Sequence, residues 1–597
     1  MTTAAIHALK DHRRQLDDLP QISAVGDVGL FERQNAIAFA FDIHIDTSHP
    51  HLPPVTRWWM IAGPRYPYGA VRVHPDRDRG IKATFPHQNA NLADTGSDHP
   101  LPWTHGKLCL ETPESFLGLH RQSIDPLGQS DRALWHARRA VEWCKAAASD
   151  QLLREGDQFE LPDFRVEDTQ VAFIEDSASL TVWQGTTSNC GLVDCTRRPQ
   201  GQFVVRRFFA RDGTPLWEAP WGSWVNQPGG ASTTAMWVRL PSVPKIEPYG
   251  APRVWSQMCD ILESAGVRVR EHLGSLIERV AQERTPLMLV GFPVPQRVGG
   301  APVRMHWQPI RPTLANRGSS TGGFKCHLKR NLQVNLAGGK RVLWARSRNW
   351  ARPERSRRGV AAEALSTKRI ALIGVGAVGS AVGELLARNG CQEMHVIDND
   401  LMEVGNLVRH TATAYDVGKA KADVVARRLA SIDPNAVIYQ HALSLDDLKP
   451  DVLEDCDVII DCTGANDVLF ALSAREWDEP RLFVSVSVGF KARRIYVYHA
   501  RSRSFPAPQF FAAIEQWLCR ERDAADLEDF PWDAIGCWHP TFPADAADMY
   551  LVSACVLKML TEMLQGTGQG LTVFEQLGTK TEFQGLRRFS GSVEDNA

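Results

Sequence analysis

The chain has no C-x-x-C pair. Its twelve cysteines are scattered over 597 residues. That pattern suits a reducing compartment and excludes the zinc sites that paired C-x-x-C motifs build. No apolar run reaches the roughly 18 residues that mark a membrane-spanning helix, so no membrane association is expected. The first residues lack an apolar centre and carry Asp11, Asp17 and Asp18 among their bases, which does not read as a secretory signal. A charge excess is missing too. The net charge is −2, so neither nucleic acid nor a membrane surface is expected as a partner. There is no internal repeat and no low-complexity tract. What is present, 43% hydrophobic and 23% charged residues, describes a globular, cytoplasmic protein of two to four domains.

The most informative stretch runs from Lys368 to Lys421. Arg369-Ile370-Ala371-Leu372-Ile373 is a short apolar run, followed at once by Gly374-Val375-Gly376-Ala377-Val378-Gly379. A segment of helical composition leads to Gly390, and Met394-His395-Val396-Ile397 ends in Asp398-Asn399-Asp400. Strand, glycine turn, helix, strand and acidic tip are the sequence form of a nucleotide-binding βαβ unit. Gly374 permits the tight turn, Gly376 lets the backbone approach a phosphate, and Gly379 lets helix and strand pack closely. Asp398 stands where a carboxylate accepts from ribose hydroxyls. Beyond the tip come Asn406, Arg409 and Lys421. A hydride-transfer enzyme has little use for cations there, whereas displacement of pyrophosphate must neutralise charge building on phosphates. The cations disfavour a dehydrogenase and favour attack on an ATP phosphate.

With its D-x-D tip, N-x-x-R and G-x-x-K segments, this stretch resembles the adenylation domain of ubiquitin-activating enzymes and their bacterial relatives of the ThiF and MoeB group. The resemblance implies a Rossmann-like α/β domain over residues 351–597 that uses ATP and Mg to adenylate a protein's C-terminal carboxylate. It assigns the ribose to Asp398 and the phosphates to Asn406, Arg409 and Lys421, with Asp400 at the tip of the same site. The family carries an Asp shortly after D-C-T. Here Asp461-Cys462-Thr463 is followed by Gly464, and Asp467 is the nearby candidate for the metal. One arginine of the basic run Arg352 to Arg358 would act on the partner subunit's ATP.

Residues 1–155 read as an α+β unit. A helix is expected over Ala4–Leu16, a half-buried strand through Ile37, Phe39, Phe41, Ile43 and Ile45, and further strands at Val55–Ile61 and Val71–His74. Tyr66-Pro67, a His/Asn-rich loop and Gly106-Lys107-Leu108-Cys109-Leu110 follow. A closing helix has Leu134, Ala137, Val141, Cys144 and Ala148 at core spacing. The order resembles a ubiquitin-conjugating enzyme, which implies Cys109 as a thioester-forming nucleophile. Phe85-Pro86-His87-Gln88-Asn89 stands where that family has H-P-N. His44, Asp46, His49 and His51 read as a solvated strand end rather than a metal site. Residues 156–350 read as a linking domain, with strands expected over Phe164–Trp183 and Gln202–Phe209, helices over Arg253–Arg284 and a buried strand at Leu287–Gly291. Its tryptophans, among them Trp217, Trp221, Trp224, Trp237 and Trp255, read as packing residues.

Towards the C-terminus, Cys537-Trp538-His539-Pro540-Thr541-Phe542 precedes a long helix from Ala546 to Leu564. The segment resembles the catalytic-cysteine loop of bacterial activating enzymes, and a cysteine near a helix N-terminus has a field that favours thiolate. Cys519 and Cys555 read as structural. The combined order resembles the fused conjugating and activating proteins of bacterial CBASS antiphage operons. It implies a relay: a substrate protein, a cyclic-oligonucleotide synthase, is activated at its C-terminus, carried on Cys537 and then Cys109, and joined to lysines of target proteins. A homodimer is expected, paired through the apolar face of Ala546–Leu564. Two other readings stand beside the relay. One is an adenylating sulfur-transfer enzyme, which leaves Cys109 and its domain without a role. The other is a degenerate nucleotide-binding scaffold, in keeping with Gly464 and the altered H-P-N.

Overall fold

The computed structural model describes residues 2–47, 49–93, 100–110, 125–315, 324–356, 363–524, 544–566, 568–579 and 582–590. The chain divides into two compact units. One holds Met1–Ala219 and Ala231–Asn349, the other Pro220–Gly230 and Trp350–Ala597.

The first unit begins with α1 (Thr2–Arg13), β1 (Ile22–Ser23), β2 (Gly29–Phe31), β3 (Ala36–His44), β4 (Val55–Ala62), β5 (Val71–Pro75) and α2 (Arg132–Ala148). The strands form an antiparallel sheet in the order β1-β3-β4-β5, with β2 also on β3. Phe39, Phe41, Trp58, Met60 and Val73 of the sheet share one core with Leu9 of α1 and Ala137 and Cys144 of α2. The expectation of a half-buried β3 is corrected. Ala38 and Ala40 are buried as fully as the large residues between them, and even Asp42 is buried, paired with Arg57 and Arg79 at 2.8 and 2.9 Å. Small residues on the second face let neighbouring backbone close over it: Gly26 N–H donates to the Ala40 carbonyl at 2.7 Å. The spacing expected for α2 holds for Ala137, Val141, Cys144 and Ala148, while Leu134 is only partly buried.

The same unit continues through β6 (Glu167–Phe173), α3 (Ser177–Gly185), β7 (Cys190–Arg197), β8 (Phe203–Ala210), β9 (Pro215–Glu218), β10 (Ala231–Arg239), α4 (Trp255–Ser264), α5 (Val269–Val280), β11 (Met288–Pro295), β12 (Pro302–Ile310), α6 (Phe324–Arg330) and β13 (Ala345–Asn349). These strands make an eight-stranded mixed sheet, order β12-β11-β10-β7-β8-β6-β13, with β9 on β8. Met258, Leu262, Leu273 and Ile277 of α4 and α5 share a core with Met236, Val238, Val290 and Phe292. A second core holds Trp183, Phe208, Trp237 and Trp307. The single strand expected over Phe164–Trp183 is in fact a strand and then a helix. Asp176 stops β6 and caps α3: its carboxylate accepts the Ser179 N–H at 2.9 Å, while Ser179 Oγ accepts the Asp176 N–H at 2.9 Å. This reciprocal box satisfies helix donors that a strand would not need.

The second unit carries α7 (Arg352–Ser356), α8 (Glu363–Ser366), β14 (Arg369–Ile373), α9 (Ala377–Arg388), β15 (Glu393–Ile397), α10 (Lys421–Ile432), β16 (Val437–His441), α11 (Asp451–Glu454), β17 (Val458–Asp461), α12 (Asn466–Ala474), β18 (Arg481–Val488), β19 (Arg494–Ser502), α13 (Ala507–Ala524), α14 (Ala546–Gln565), β20 (Gly570–Thr579) and β21 (Glu582–Ser590). One sheet contains all eight strands in the order β16-β15-β14-β17-β18-β19-β20-β21. The first five are parallel and the last three join antiparallel. The near-continuous Ile/Val/Leu runs of β14 and β17 suit strands covered on both faces.

One expectation changes here. Val552, Val556, Met559 and Leu560 of α14 are buried in the same core as Val382 and Leu386 of α9. The α14 face assigned to dimer contact is therefore occupied within the unit. Residues 220–230 pack within this unit. Ser223 N–H donates to the Ala436 carbonyl at 2.9 Å, and Trp221 and Trp224 pack with Trp350. Trp237 and Trp255 are core residues, as expected of packing tryptophans. No helix among the described residues is long and apolar enough to cross a membrane.

Candidate functional sites

In the second unit the strand order reverses at β14: the chain proceeds to β15 and β16 on one side, then to β17 and β18 on the other. In such sheets the crevice at the carboxyl ends of the strands receives ligands. Those ends deliver Gly374, Asp398 and Asp461 together. Gly374 has φ +77°, left-handed backbone that a side chain would strain. A Cβ on Gly379 would stand 1.9 Å from the Gly374 carbonyl oxygen, so turn and helix can approach this closely only with glycine there. A Cβ on Gly376 would meet nothing within 4 Å, which leaves its backbone open to a ligand.

Asp398 ties this turn to β15. One carboxylate oxygen accepts the Val375 N–H and the other the Asp400 N–H, both at 2.8 Å. Each oxygen retains capacity for a hydroxyl donor. His410 braces the turn from the opposite side. The Ala412 N–H points to its Nδ1 at 3.0 Å, so Nε2 carries the proton and donates to the Val375 carbonyl at 2.8 Å. Burial lowers its pKa and keeps the ring neutral. Asn406 Oδ1 accepts the Glu403 N–H at 3.0 Å and caps the short helical turn that leads to Arg409. Arg409 is half-buried, and burial lowers its pKa. Lys421 opens α10 with its side chain only 12% exposed, and Nζ lies 2.9 Å from Asp400 Oδ2. The Lys421 N–H also donates to the Asp400 carbonyl at 2.9 Å. Asp400 thus aims a cation at the mouth of the crevice.

The metal expectation fares differently. Asp461 is 2% exposed and turned inward, accepting from Thr463 N–H and Oγ1 at 3.0 and 2.6 Å and from Ser485 Oγ at 3.0 Å; burial raises its pKa. Asp467 is exposed in the first turn of α12. Among the described residues no group of three metal-ligating side chains assembles. A single exposed carboxylate fits the habit of Mg²⁺, which keeps several waters and takes one or two carboxylates.

In the first unit, residues 87–89 and 107–109 pair antiparallel. Gln88 lies opposite Leu108, Cys109 N–H donates to the His87 carbonyl at 2.9 Å, and Asn89 N–H donates to the Lys107 carbonyl at 3.0 Å. The Cys109 side chain is exposed and, with His87, Arg139, Glu142, Lys145 and Arg154, lines a cavity of about 480 Å³. Gln88 works as a brace between the two segments. It is buried, its Oε1 accepts the Phe85 N–H at 3.0 Å, and its Nε2 donates to the Gly106 carbonyl at 3.1 Å.

Cys537 lies outside the described residues, as do Arg357 and Arg358. Arg355, in the same basic run, is turned onto its own chain, against Asp433 and Asn435. Cys555 is buried as expected, but Cys519 is exposed on α13, which corrects its structural reading. No metal cluster forms at His44, Asp46, His49 and His51. His44 pairs with Ser23 and His49 with Asp150. Sequence reasoning missed the bracing role of His410 and the part played by Glu160, which lies 2.9 Å from His87 Nδ1. His410 follows Arg409 directly, a signal that was present. Glu160 lies 73 residues from His87 and carried none.

Comparison with known proteins agrees with this architecture. Residues 150–350 match the family model for the Cap2 central linker domain, and residues 347–513 match the ThiF family. The ATP-dependent ubiquitin transferase-like protein Cap2 of Enterobacter hormaechei is 29% identical over 562 residues, 92% of each chain. The Vibrio cholerae protein of the same name is 38% identical over 135 residues, 21% of each chain. Among solved structures, Escherichia coli MccB with ATP is 16% identical, covers 39% of this chain and 67% of its own, and superposes with a TM-score of 0.28, too low to compare residues. The chain thus carries a Cap2-type central linker domain followed by a ThiF-family domain, and over nearly its whole length it resembles a bacterial ATP-dependent ubiquitin transferase-like protein of the CBASS type.

Proposed function

We propose that this protein activates the C-terminal carboxylate of a substrate protein with ATP and joins it to lysines through two cysteine thioesters. The observation that carries the reading is the crevice at the ends of β14 and β15, where Asp398 holds the glycine turn and Asp400 aims Lys421 beside it. The near-full-length relative named as an ATP-dependent ubiquitin transferase-like protein supports it. In this reading Asp398 accepts from the ribose, while Lys421, Arg409 and Asn406 hold the phosphates as the carboxylate attacks the α-phosphate and pyrophosphate leaves. Asp467 would be the protein ligand of a Mg²⁺ ion, which would supply charge neutralisation on the phosphates. The acyl group passes to Cys537 with release of AMP, then to Cys109 by thiol exchange. A lysine amine finally displaces the Cys109 thiolate. The substrate is a cyclic-oligonucleotide synthase, and the enzyme works as a homodimer. The exposed Val404, Val408 and Tyr415 beside the crevice support a second copy packing there.

Substrate-dependent exchange of pyrophosphate into ATP tests the adenylation step. Asp398→Ala and Lys421→Ala should abolish it, and Cys537→Ala should leave it intact because adenylation precedes the thiol. Full exchange in Asp398→Ala would overturn the nucleotide assignment.

A further inference from the structure

The segment that pairs with Cys109 is held by residues distant in the chain. Glu160 belongs to the segment matched by the linker family. Its Oε2 lies 2.9 Å from His87 Nδ1 and 3.2 Å from the His87 backbone N–H. Three residues on, Asp163 accepts the Ala90 N–H at 2.9 Å, and the Tyr249 N–H donates to the Thr84 carbonyl at 3.0 Å. His87 itself has φ +55°, a left-handed conformation that a non-glycine residue holds only when its surroundings enforce it. Its carbonyl accepts the Cys109 N–H. A single carboxylate oxygen, accepting from both the ring and the backbone N–H of His87, therefore fixes the strained residue that sets the position of the thiol.

We propose that Glu160 is a positioning residue for Cys109. Acting through His87, it lets the linker domain set how the thiol is presented to its acyl donor and acceptor. The inference rests on the thioester role of Cys109 for its catalytic consequence, though not for its geometry. A carboxylate oxygen only accepts, so His87 Nδ1 carries a proton. The hydrogen bond to Glu160, partly opposed by burial, raises the pKa of His87. Asp157 adds to that rise, and the remaining charged neighbours at the cavity are Arg139, Glu142, Lys145 and Arg154. The pair is charge-assisted below that raised pKa and loses its charge as pH rises through it.

The test uses the full-length protein, with Cys109 acylated by a glycyl-peptide thioester of 2-mercaptoethanesulfonate and followed by peptide mass mapping. Discharge onto free lysine is one readout, and alkylation of unloaded Cys109 by iodoacetamide is the other. Glu160→Gln should slow both by about tenfold, the scale of one charge-assisted hydrogen bond. The ratio of wild type to variant should fall towards one as pH rises through the His87 transition, whereas a purely structural loss would give a flat ratio. His87→Gly relaxes the left-handed position and removes the ring. In that background Glu160→Gln should have a clearly smaller effect, because the ring contact is gone and only the contact to the backbone N–H of residue 87 remains. Unchanged alkylation and discharge in Glu160→Gln, or effects that add in the double variant, would overturn the proposal. Alkylation that couples through His87 would uphold the positioning role even if wild-type acyl-Cys109 discharged no faster than acyl-glutathione. That last result would instead remove the conjugating function.

Discussion

The glycine turn after β14 makes a quantitative demand on the nucleotide site. In Gly379→Ala the new Cβ would lie 1.9 Å from the Gly374 carbonyl oxygen and must retreat by at least 1.1 Å to reach 3.0 Å. The obstacle is backbone, so the turn itself must open. Such overpacking costs about 1–3 kcal/mol, or roughly 2–12 °C in Tm for a unit of this size at about 2–4 °C per kcal/mol. Gly376→Ala is the informative contrast. Its φ is −66° and a Cβ there meets no atom within 4 Å, so Tm should fall only by about 1–4 °C, the roughly 0.5–1 kcal/mol by which Ala is a poorer N-cap than Gly. Yet that Cβ would stand where a phosphate approaches, and Mg-ATP affinity should fall at least about tenfold, or roughly 1.4 kcal/mol. Differential scanning calorimetry and isothermal titration calorimetry read the two effects separately. A Gly376→Ala variant that binds Mg-ATP as wild type does would refute phosphate binding on this turn.

Three further outcomes follow from other parts of the molecule. Asp125 and Arg132 form a buried pair, with Arg132 Nη1 also donating to the Pro67 and Gly69 carbonyls at 2.6 Å; Asp125→Asn leaves that cation uncompensated and should cost about 3–5 kcal/mol by urea unfolding. Burial raises the Glu175 pKa to about 7 against hydrogen bonds from Ser179, Trp307 and Trp183. A raised folded value means its stabilisation is complete below the unfolded value of about 4.3 and is lost as pH rises through the folded one, so the urea midpoint of wild type should decline across that window and that of Glu175→Gln should stay level. Light scattering at micromolar concentration should give about twice 66.4 kDa, and Val408→Glu, a charge placed on the exposed patch, should return the monomer mass; a wild-type monomer would count against the dimer.

Local sequence was a good guide wherever a residue's role is settled by its near neighbours. The spacing of Gly374, Gly376 and Gly379 after an apolar run, with Asp398 closing the next, located the crevice because strand, turn and helix there are contiguous in the chain. Contacts made at long range were not legible. Nothing near Ala38 and Ala40 says that backbone from Gly26 closes over them. Nothing near Val552 and Met559 says that α9 already covers them. Trp221 and Trp224 lie in sequence between strands of the first unit's sheet, yet both belong to the second unit and pack there with Trp350. The Asp176–Ser179 box, by contrast, was readable, and the apolar run around it hid the helix start.

Acyl transfer through Cys109 is the central claim, and trapping the adduct tests it most directly. The protein is incubated with Mg-ATP and a cyclic-oligonucleotide synthase, and products are resolved with and without a thiol reductant. Cys537→Ala should lose every reductant-sensitive adduct, and Cys109→Ala should keep the adduct on Cys537 but form no amide. Cys109→Ser should hold a reductant-resistant oxyester, since serine forms a less reactive acyl ester. Exposed Cys519 serves as the control, with Cys519→Ala behaving as wild type. Amide product from Cys109→Ala would contradict the relay and leave a protein that activates its substrate and passes it elsewhere.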